Sequence, residues 1–213
     1  MSVARGPAPA PLPPFTGAVL AGGASRRMGR DKALVEVGGR PLAAIAAAAL
    51  AAAGASPPVL AVGGDAPALA RLGLAPVADH RPGEGPLGGI LTALAHALHD
   101  VVAILACDLP GAHAGAVGEV VAALAAHPEA DAAVAAVDDG ALQTLHGAWR
   151  RSARPRVEEA FGRGERAVHR VLADLAVVRV EGIDPGALAD ADTPGELARG
   201  SSKPFTVRHT GRP

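Results

Sequence analysis

One cysteine, Cys107, stands in the whole chain, which excludes an internal disulfide and suits a reducing cytoplasm. Aromatic residues make up 2% of the sequence and tyrosine is absent, so the 49% hydrophobic content must pack as a core of small aliphatic side chains. A formal net charge of −1 with dispersed basic residues leaves no stripe for nucleic acid and no membrane-binding face. Long apolar runs are missing too. Ala43–Ala53 is too short to cross a bilayer and reads as a packed helix, while Met1–Pro14, with one arginine and five prolines, has no apolar core for a secretory signal. Lysine is the scarcest cation: of 20 basic residues only Lys32 and Lys203 are lysines.

The 213 residues fit one enzyme-sized domain. We expect a disordered lead-in over residues 1–15, a single domain over 16–200 and a flexible tail over 201–213. Strands are predicted at Gly17–Ala21, Pro58–Gly63, Val101–Ala106, Ala130–Val137, Thr144–Trp149 and Leu175–Val180. Helices are predicted at Pro41–Ala53, Ala66–Arg71, Leu87–Leu98, Gly115–Ala126, Ser152–Gly162 and Ala167–Ala173. Continuous apolar strands alternating with helices predict an α/β fold whose mostly parallel sheet is covered on both faces. Ligands of such sheets bind outside the carboxyl ends of the strands, so the loops after Ala21 and Ala106 should share a rim.

Gly17–Leu34 is written as a strand-end phosphate site. An apolar strand breaks at Gly22 and Gly23, which let backbone amides approach a ligand, and Arg26, Arg27, Arg30 and Lys32 follow. A lysine in a chain that otherwise uses arginine suggests a compact point charge that follows a moving phosphate. The segment is neither a Walker P-loop nor a Gly-x-Gly-x-x-Gly turn. Val101–Pro110 is a buried strand ending in Asp108, a carboxylate that either caps the next turn, aided by Pro110, or offers a hard oxygen to a magnesium ion. Cys107 beside it reads as a small buried hydrophobe. Val77–Ile90 is a glycine-rich loop feeding a helix; it suits an anionic ligand at a positive helix end, and its composition equally suits a surface connection. Arg81 and Glu84 are weaker candidates there. His80 reads as a solvated loop residue, since no second His or Cys stands at ligand spacing. Thr193–Glu196 is a helix start, with Thr as cap, Pro first and Glu third.

Leu20–Lys32 resembles, without a gap, the signature Leu-Ala-Gly-Gly-x-Ser/Ala-x-Arg-Met-Gly-x-Asp-Lys of the nucleotidyltransferases that build molybdenum cofactor, in particular the molybdenum cofactor guanylyltransferases. Cys107-Asp-Leu-Pro110, Gly85-Pro-Leu-Gly-Gly89, Gln143-Thr-Leu-His146, Gly164-Glu-Arg166-Ala-Val and Asp190-Ala-Asp192-Thr-Pro-Gly-Glu-Leu resemble further family segments. Two departures stand out: Asp190 and Asp192 replace asparagines of some relatives, and Val62-Gly-Gly-Asp65 lies where some members place an asparagine against the base.

The resemblance implies a Rossmann-like three-layer sandwich of the nucleotide-diphospho-sugar-transferase type. It implies transfer of GMP from GTP to the phosphate of molybdopterin, releasing pyrophosphate. Lys32, Arg27 and Asp108 would be catalytic, with Asp108 the Mg2+ ligand. Leu20, Ala21, Gly22, Gly23, Lys32, Asp79, Gly85 and Gly88 or Gly89 would bind nucleotide; His146, Arg166, Asp190 and Asp192 would line the acceptor pocket. The expected partners are GTP and molybdopterin, with transient contact to molybdoenzymes or other cofactor-biosynthesis proteins, no nucleic acid and no membrane, in a cytoplasmic setting. A cytidylyltransferase for the same cofactor shares fold and lysine, and the Leu-Ala-Gly-Gly form with Gly-Pro-Leu-Gly-Gly argues for guanine against it. A sugar-phosphate or phospholactate nucleotidyltransferase fits the second half less well. A regulatory nucleotide-binding module would not require Lys32 and Asp108 to be intact.

Overall fold

Phe15–Leu20 (β1) is buried at every residue, as a strand covered on both faces must be. The computed structural model describes residues 11–22, 31–137 and 140–190. The expected features at residues 1–10, Gly23, Arg26, Arg27, Arg30, Asp192, Thr193–Glu196 and the 201–213 tail lie outside the described residues. The folded part begins earlier than residue 16, because Leu12 already packs against the core and Phe15 opens β1.

After β1 the chain runs through a 3-10 turn (Lys32–Leu34), a small hairpin of β2 (Glu36–Val37) and β3 (Arg40–Pro41), α1 (Leu42–Ala52), β4 (Ser56–Val62), α2 (Ala66–Arg71), β5 (Ala75–Val77) and α3 (Pro86–His96). There follow β6 (Val101–Ala106), α4 (Ala114–Ala126), β7 (Ala132–Ala136), β8 (Leu142–Arg150), a 3-10 turn (Arg151–Ala153), α5 (Arg154–Gly162), α6 (Val168–Ala173), β9 (Val177–Val180) and α7 (Pro185–Leu188). Seven strands form the central sheet in the order β5-β4-β1-β6-β8-β7-β9. All are parallel except β8, which pairs antiparallel with β6 and β7. The sheet is therefore mostly parallel, as expected, with one reversed strand that the apolar pattern of Thr144–Trp149 does not distinguish.

Alternate residues of each strand feed two apolar layers. Phe15 and Val19 meet α1, α4 and α7 on one face, whereas Ala18 and Leu20 meet α3, α5 and α6 on the other. The result is a three-layer sandwich, and the six predicted helices all form. Small side chains bring the layers close. A Cβ on Gly17 would meet Ala55 and Leu50 Cβ atoms at 3.0 and 3.2 Å, and one on Gly89 would meet Leu20 Cδ2 at 3.3 Å. Trp149 is the largest fully buried side chain, on β8 between β6 and β7, and its indole nitrogen has no hydrogen-bond partner among the described residues. No helix among the described residues is long and apolar enough to cross a membrane.

Candidate active site

Because β1, β4, β5 and β6 are parallel, the loops leaving them emerge on one rim. Backbone hydrogen bonds continue the ladder past the strand ends. The Cys107 N–H donates to the Leu20 carbonyl at 3.2 Å, the Ala21 and Gly22 N–H groups both donate to the Val62 carbonyl at 3.0 and 2.9 Å, and the Gly63 N–H donates to the Val77 carbonyl at 3.0 Å. The first residues of each loop are thus held as firmly as the sheet. The Gly22 N–H, expected to face a ligand, is directed at Val62, and the Leu20 and Ala21 side chains are buried. What Gly22 contributes is closeness. Gly63 has φ +74°, and a Cβ there would stand 2.8 Å from Gly22 Cα, so two glycine backbones cross where side chains would force them apart.

Asp31 turns this corner into a site. One carboxylate oxygen accepts the Ala33 N–H at 3.0 Å and caps the Lys32–Leu34 turn; the other accepts the Asp65 N–H at 2.8 Å. Asp65 in turn caps α2 through the Ala68 N–H. The lysine loop is thereby fastened to the Val62–Asp65 loop, and Lys32 is aimed along the rim to Asp108, with Nζ 2.8 Å from Oδ2. The two side chains retain 15% and 25% exposure, enough to exchange partners with a ligand. Asp108 therefore sits at the carboxyl edge of β6, where the sequence places it, and the fold sets it beside the lysine.

Asp79 reaches the same corner: a Cβ on Gly63 would lie 3.9 Å from that of Asp79. Asp79 Oδ1 accepts the Arg81 N–H at 2.9 Å and lies 3.3 Å from the hydroxyl of Thr92, which is fully buried, accepts the His80 N–H and lies 3.0 Å from the Gly88 carbonyl. Gly85, at φ +84°, caps α3, and a Cβ on Gly88 would press on Arg81 at 3.0 Å. Glycine is thus required here for the loop's path over α3.

Arg166, which the family resemblance assigns to the acceptor pocket, holds a set of partners within the protein. Its Nε and Nη2 donate to Glu84 at 3.0 and 2.6 Å, its Nη1 donates to the Phe161 and Glu165 carbonyls, and its guanidinium lies 3.7 Å over the Phe161 ring. Arg81 flanks the same ring at 4.8 Å and pairs with Glu158. Together they clamp the glycine loop to α5. The backbone N–H groups of Ala167 and Arg166 hold the Glu165 carboxyl below its usual range.

His146 lies on β8 opposite Leu105, 1% exposed, with neither ring nitrogen hydrogen-bonded among the described residues. Burial, with a smaller contribution from His113, pushes its imidazole down to about 4. It is a neutral ring in the interior beneath the rim, and no contact joins it to Lys32 or Asp79 among those described. Asp190 is exposed just beyond α7. That helix meets the loop after Asp108, since a Cβ on Gly111 would collide with the Gly186 carbonyl and His113 lies 3.8 Å from Asp184. Burial, followed by the charge of Asp108, pushes the Cys107 thiol up to about 12, so it offers neither a nucleophile nor a thiolate ligand.

The sequence reading has Asp31 inside the signature but gives it no role, and it passes over Thr92, Phe161 and the Gly63 crossing. Asp31 carries a signal in hindsight, an Asp immediately before a short turn, which is cap chemistry. Thr92 lies inside an apolar helix and carries none.

The MobA-like NTP transferase domain matches residues 17–180. Over 199 residues the chain is 33% identical to the molybdenum cofactor guanylyltransferase of Rhodobacter capsulatus, covering 89% of this chain and 96% of that protein. It is 41% identical over 110 residues to the molybdenum cofactor guanylyltransferase of Xanthomonas euvesicatoria, covering 51% of this chain and about half, 54%, of that protein. Its fold matches the crystal structure of molybdopterin-guanine dinucleotide biosynthesis protein A from Archaeoglobus fulgidus, with a TM-score of 0.69 and 24% identity over 87% of this chain and 96% of that one. Rim, glycine crossing and lysine–aspartate pair thus sit on the nucleotide-diphospho-sugar-transferase fold, and the chain belongs to the MobA-like NTP transferase family.

Proposed function

We propose that this chain transfers GMP from GTP to the phosphate of molybdopterin and releases pyrophosphate. The observation that carries the reading is the pairing of Lys32 with Asp108 at 2.8 Å on the rim, a cation and a carboxylate from the two most specific motifs at one point. In the reaction an acceptor phosphate oxygen forms a bond to the α-phosphorus of GTP while the bond from that phosphorus to the α,β-bridging oxygen breaks, its electron pair leaving with pyrophosphate. No side chain need become covalently bound. The acceptor phosphate is already ionised, so none of the histidines need take a proton.

The protein's part is position and charge. Lys32 moves from Asp108 to the triphosphate and follows the charge developing on the leaving group, a duty that the family signature also assigns to Arg27. Gly22 and Gly63 let the nucleotide lie against bare backbone. Asp79, Gly85 and Gly88 shape the loop on the base side. The family resemblance assigns His146, Asp190 and Asp192 to the acceptor, and Arg166 keeps the glycine loop in place.

The donor set fits Mg2+. Asp108 supplies a hard carboxylate, the adjacent Cys107 thiol stays protonated, and no group of three or more His, Cys, Asp or Glu side chains that could hold a metal occurs among the described residues. This suits an ion that uses one or two carboxylates and takes other oxygens from substrate phosphates and water. When bound at Asp108, Mg2+ would neutralise the triphosphate and the charge that grows on pyrophosphate.

Measuring pyrophosphate release with GTP, CTP and ATP, in the presence of molybdopterin and Mg2+, tests the proposal. Turnover with GTP far above the other two is expected. A clear preference for CTP would move the chain to the cytidylyl branch, and no release with any nucleotide would favour a binding module.

A further inference from the structure

His80 and His96 are 16 residues apart in sequence, yet the fold places His80 Nε2 3.2 Å from His96 Nε2. His80 lies in the loop after β5 and His96 ends α3; both are exposed. Their ring centroids are 5.1 Å apart with planes tilted by 58°, so the rings meet by their nitrogens rather than stacked face to face. His80 is the solvated loop residue that the sequence reading expects, and the fold adds His96 as its neighbour.

We infer that this pair is a bidentate site for a divalent transition-metal ion, separate from the Asp108 rim. Imidazole nitrogens bind zinc at about 2.0–2.1 Å, and two nitrogens 3.2 Å apart at that radius subtend about 100° at the metal. That bite lies between a tetrahedral and an octahedral shell, so Zn2+ and Ni2+ both fit without moving the backbone, and water completes the coordination. Both rings must be in the Nδ1–H tautomer, which turns both Nε2 lone pairs to the ion. From two neutral rings no net proton is released.

The backbone carrying the rings is also anchored. The His80 backbone N–H donates to the Thr92 hydroxyl, which neighbours Asp79, and His96 extends the same helix by one turn beyond Thr92. A bound ion would therefore brace the start of the Asp79–Gly85 loop against the end of α3. Mg2+ is excluded by its preference for oxygen ligands.

Calorimetric titration of the metal-stripped full chain with Ni2+, and separately with Zn2+, tests the assignment. Excess Mg2+ keeps the carboxylate rim occupied. One equivalent is expected to bind, with affinity falling at least about tenfold in His80→Ala and equally in His96→Ala, because either substitution leaves a single ligand. His99→Ala, which removes an imidazole bonded to Ser56 instead, should bind as the parent does. Because His80 and His96 are exposed, neither substitution threatens the core. No binding by the parent, binding indifferent to both substitutions, or a loss in only one of them would overturn the chelate.

Discussion

Lys32 Nζ and Asp108 Oδ2 lie 2.8 Å apart although 76 residues separate them in sequence, each delivered to the rim by its own loop. A pair exposed to this degree adds little to stability, on the order of 1 kcal/mol or less. Under the proposed function its worth lies in mutual neutralisation, which keeps two charges ready beside each other until phosphate and cation separate them.

Substitutions in the pair should therefore change turnover far more than melting. Asp108→Asn retains shape and loses charge, and turnover should drop roughly a hundredfold or more, about 3 kcal/mol in the transition state. Lys32→Arg keeps the charge in a different geometry and should lose at least about tenfold, or 1.4 kcal/mol. Steady-state rates across a Mg2+ series, with thermal melts alongside, check both. An unchanged rate and Mg2+ dependence in Asp108→Asn would remove the metal role.

Gly63 and Gly73 separate strain from crowding. Both have positive φ, +74° and +82°, but a Cβ at Gly63 strikes the Gly22 backbone at 2.8 Å while one at Gly73 meets nothing within 4 Å. Gly73→Ala should cost about 1 kcal/mol from backbone conformation alone. Gly63→Ala should cost at least about 2 kcal/mol and also reduce activity, since relief must come from moving the lysine loop. Urea midpoints compare the two, and equal losses would show that the crossing is soft.

His146 predicts an acid-sensitive fold. Its imidazole is pushed from the usual 6.5 down to about 4, so between those values the unfolded chain binds a proton that the folded chain refuses. Stability must then fall as pH drops from 6.5, and the loss must be complete below about 4; at its limit it is on the order of 3 kcal/mol. His146→Leu should flatten this part of the profile in denaturant titrations at pH 7 and pH 4.5. Glu165, whose low carboxyl adds a loss of the same sign, acts alike in both proteins. An identical acid loss in the variant would clear His146.

Cys107 should be inert. With its thiol pushed up to about 12, almost none is thiolate at pH 8, so alkylation of the native protein should track unfolding, and Cys107→Ala should turn over normally. Rapid labelling with loss of activity would contradict this.

Long buried strands and alanine-rich helices were legible because their apolar runs are unbroken, and the shared rim followed from their alternation. The hairpin of β2 and β3 and the three-residue β5 are too short to carry a period, and β5 contains a proline. The direction of β8 depends on which neighbours it pairs with, which composition does not encode. At the site, motif residues Lys32 and Asp108 were readable as chemistry. Asp31, Thr92 and Gly63 hold that chemistry in place through hydrogen bonds and backbone contact between distant segments, and His80 with His96 meets only in the fold. Arg166 shows the converse, a motif residue whose guanidinium is occupied in clamping a loop.

Trp149 gives the chain an optical property. With one tryptophan and no tyrosine, near-ultraviolet emission comes from a single indole, and that indole lies in the apolar interior without a hydrogen bond among the described residues. Native emission should be blue-shifted and should move to the red only when β6, β8 and β7 part, so the chain carries its own fluorescent reporter on the strand that also bears His146.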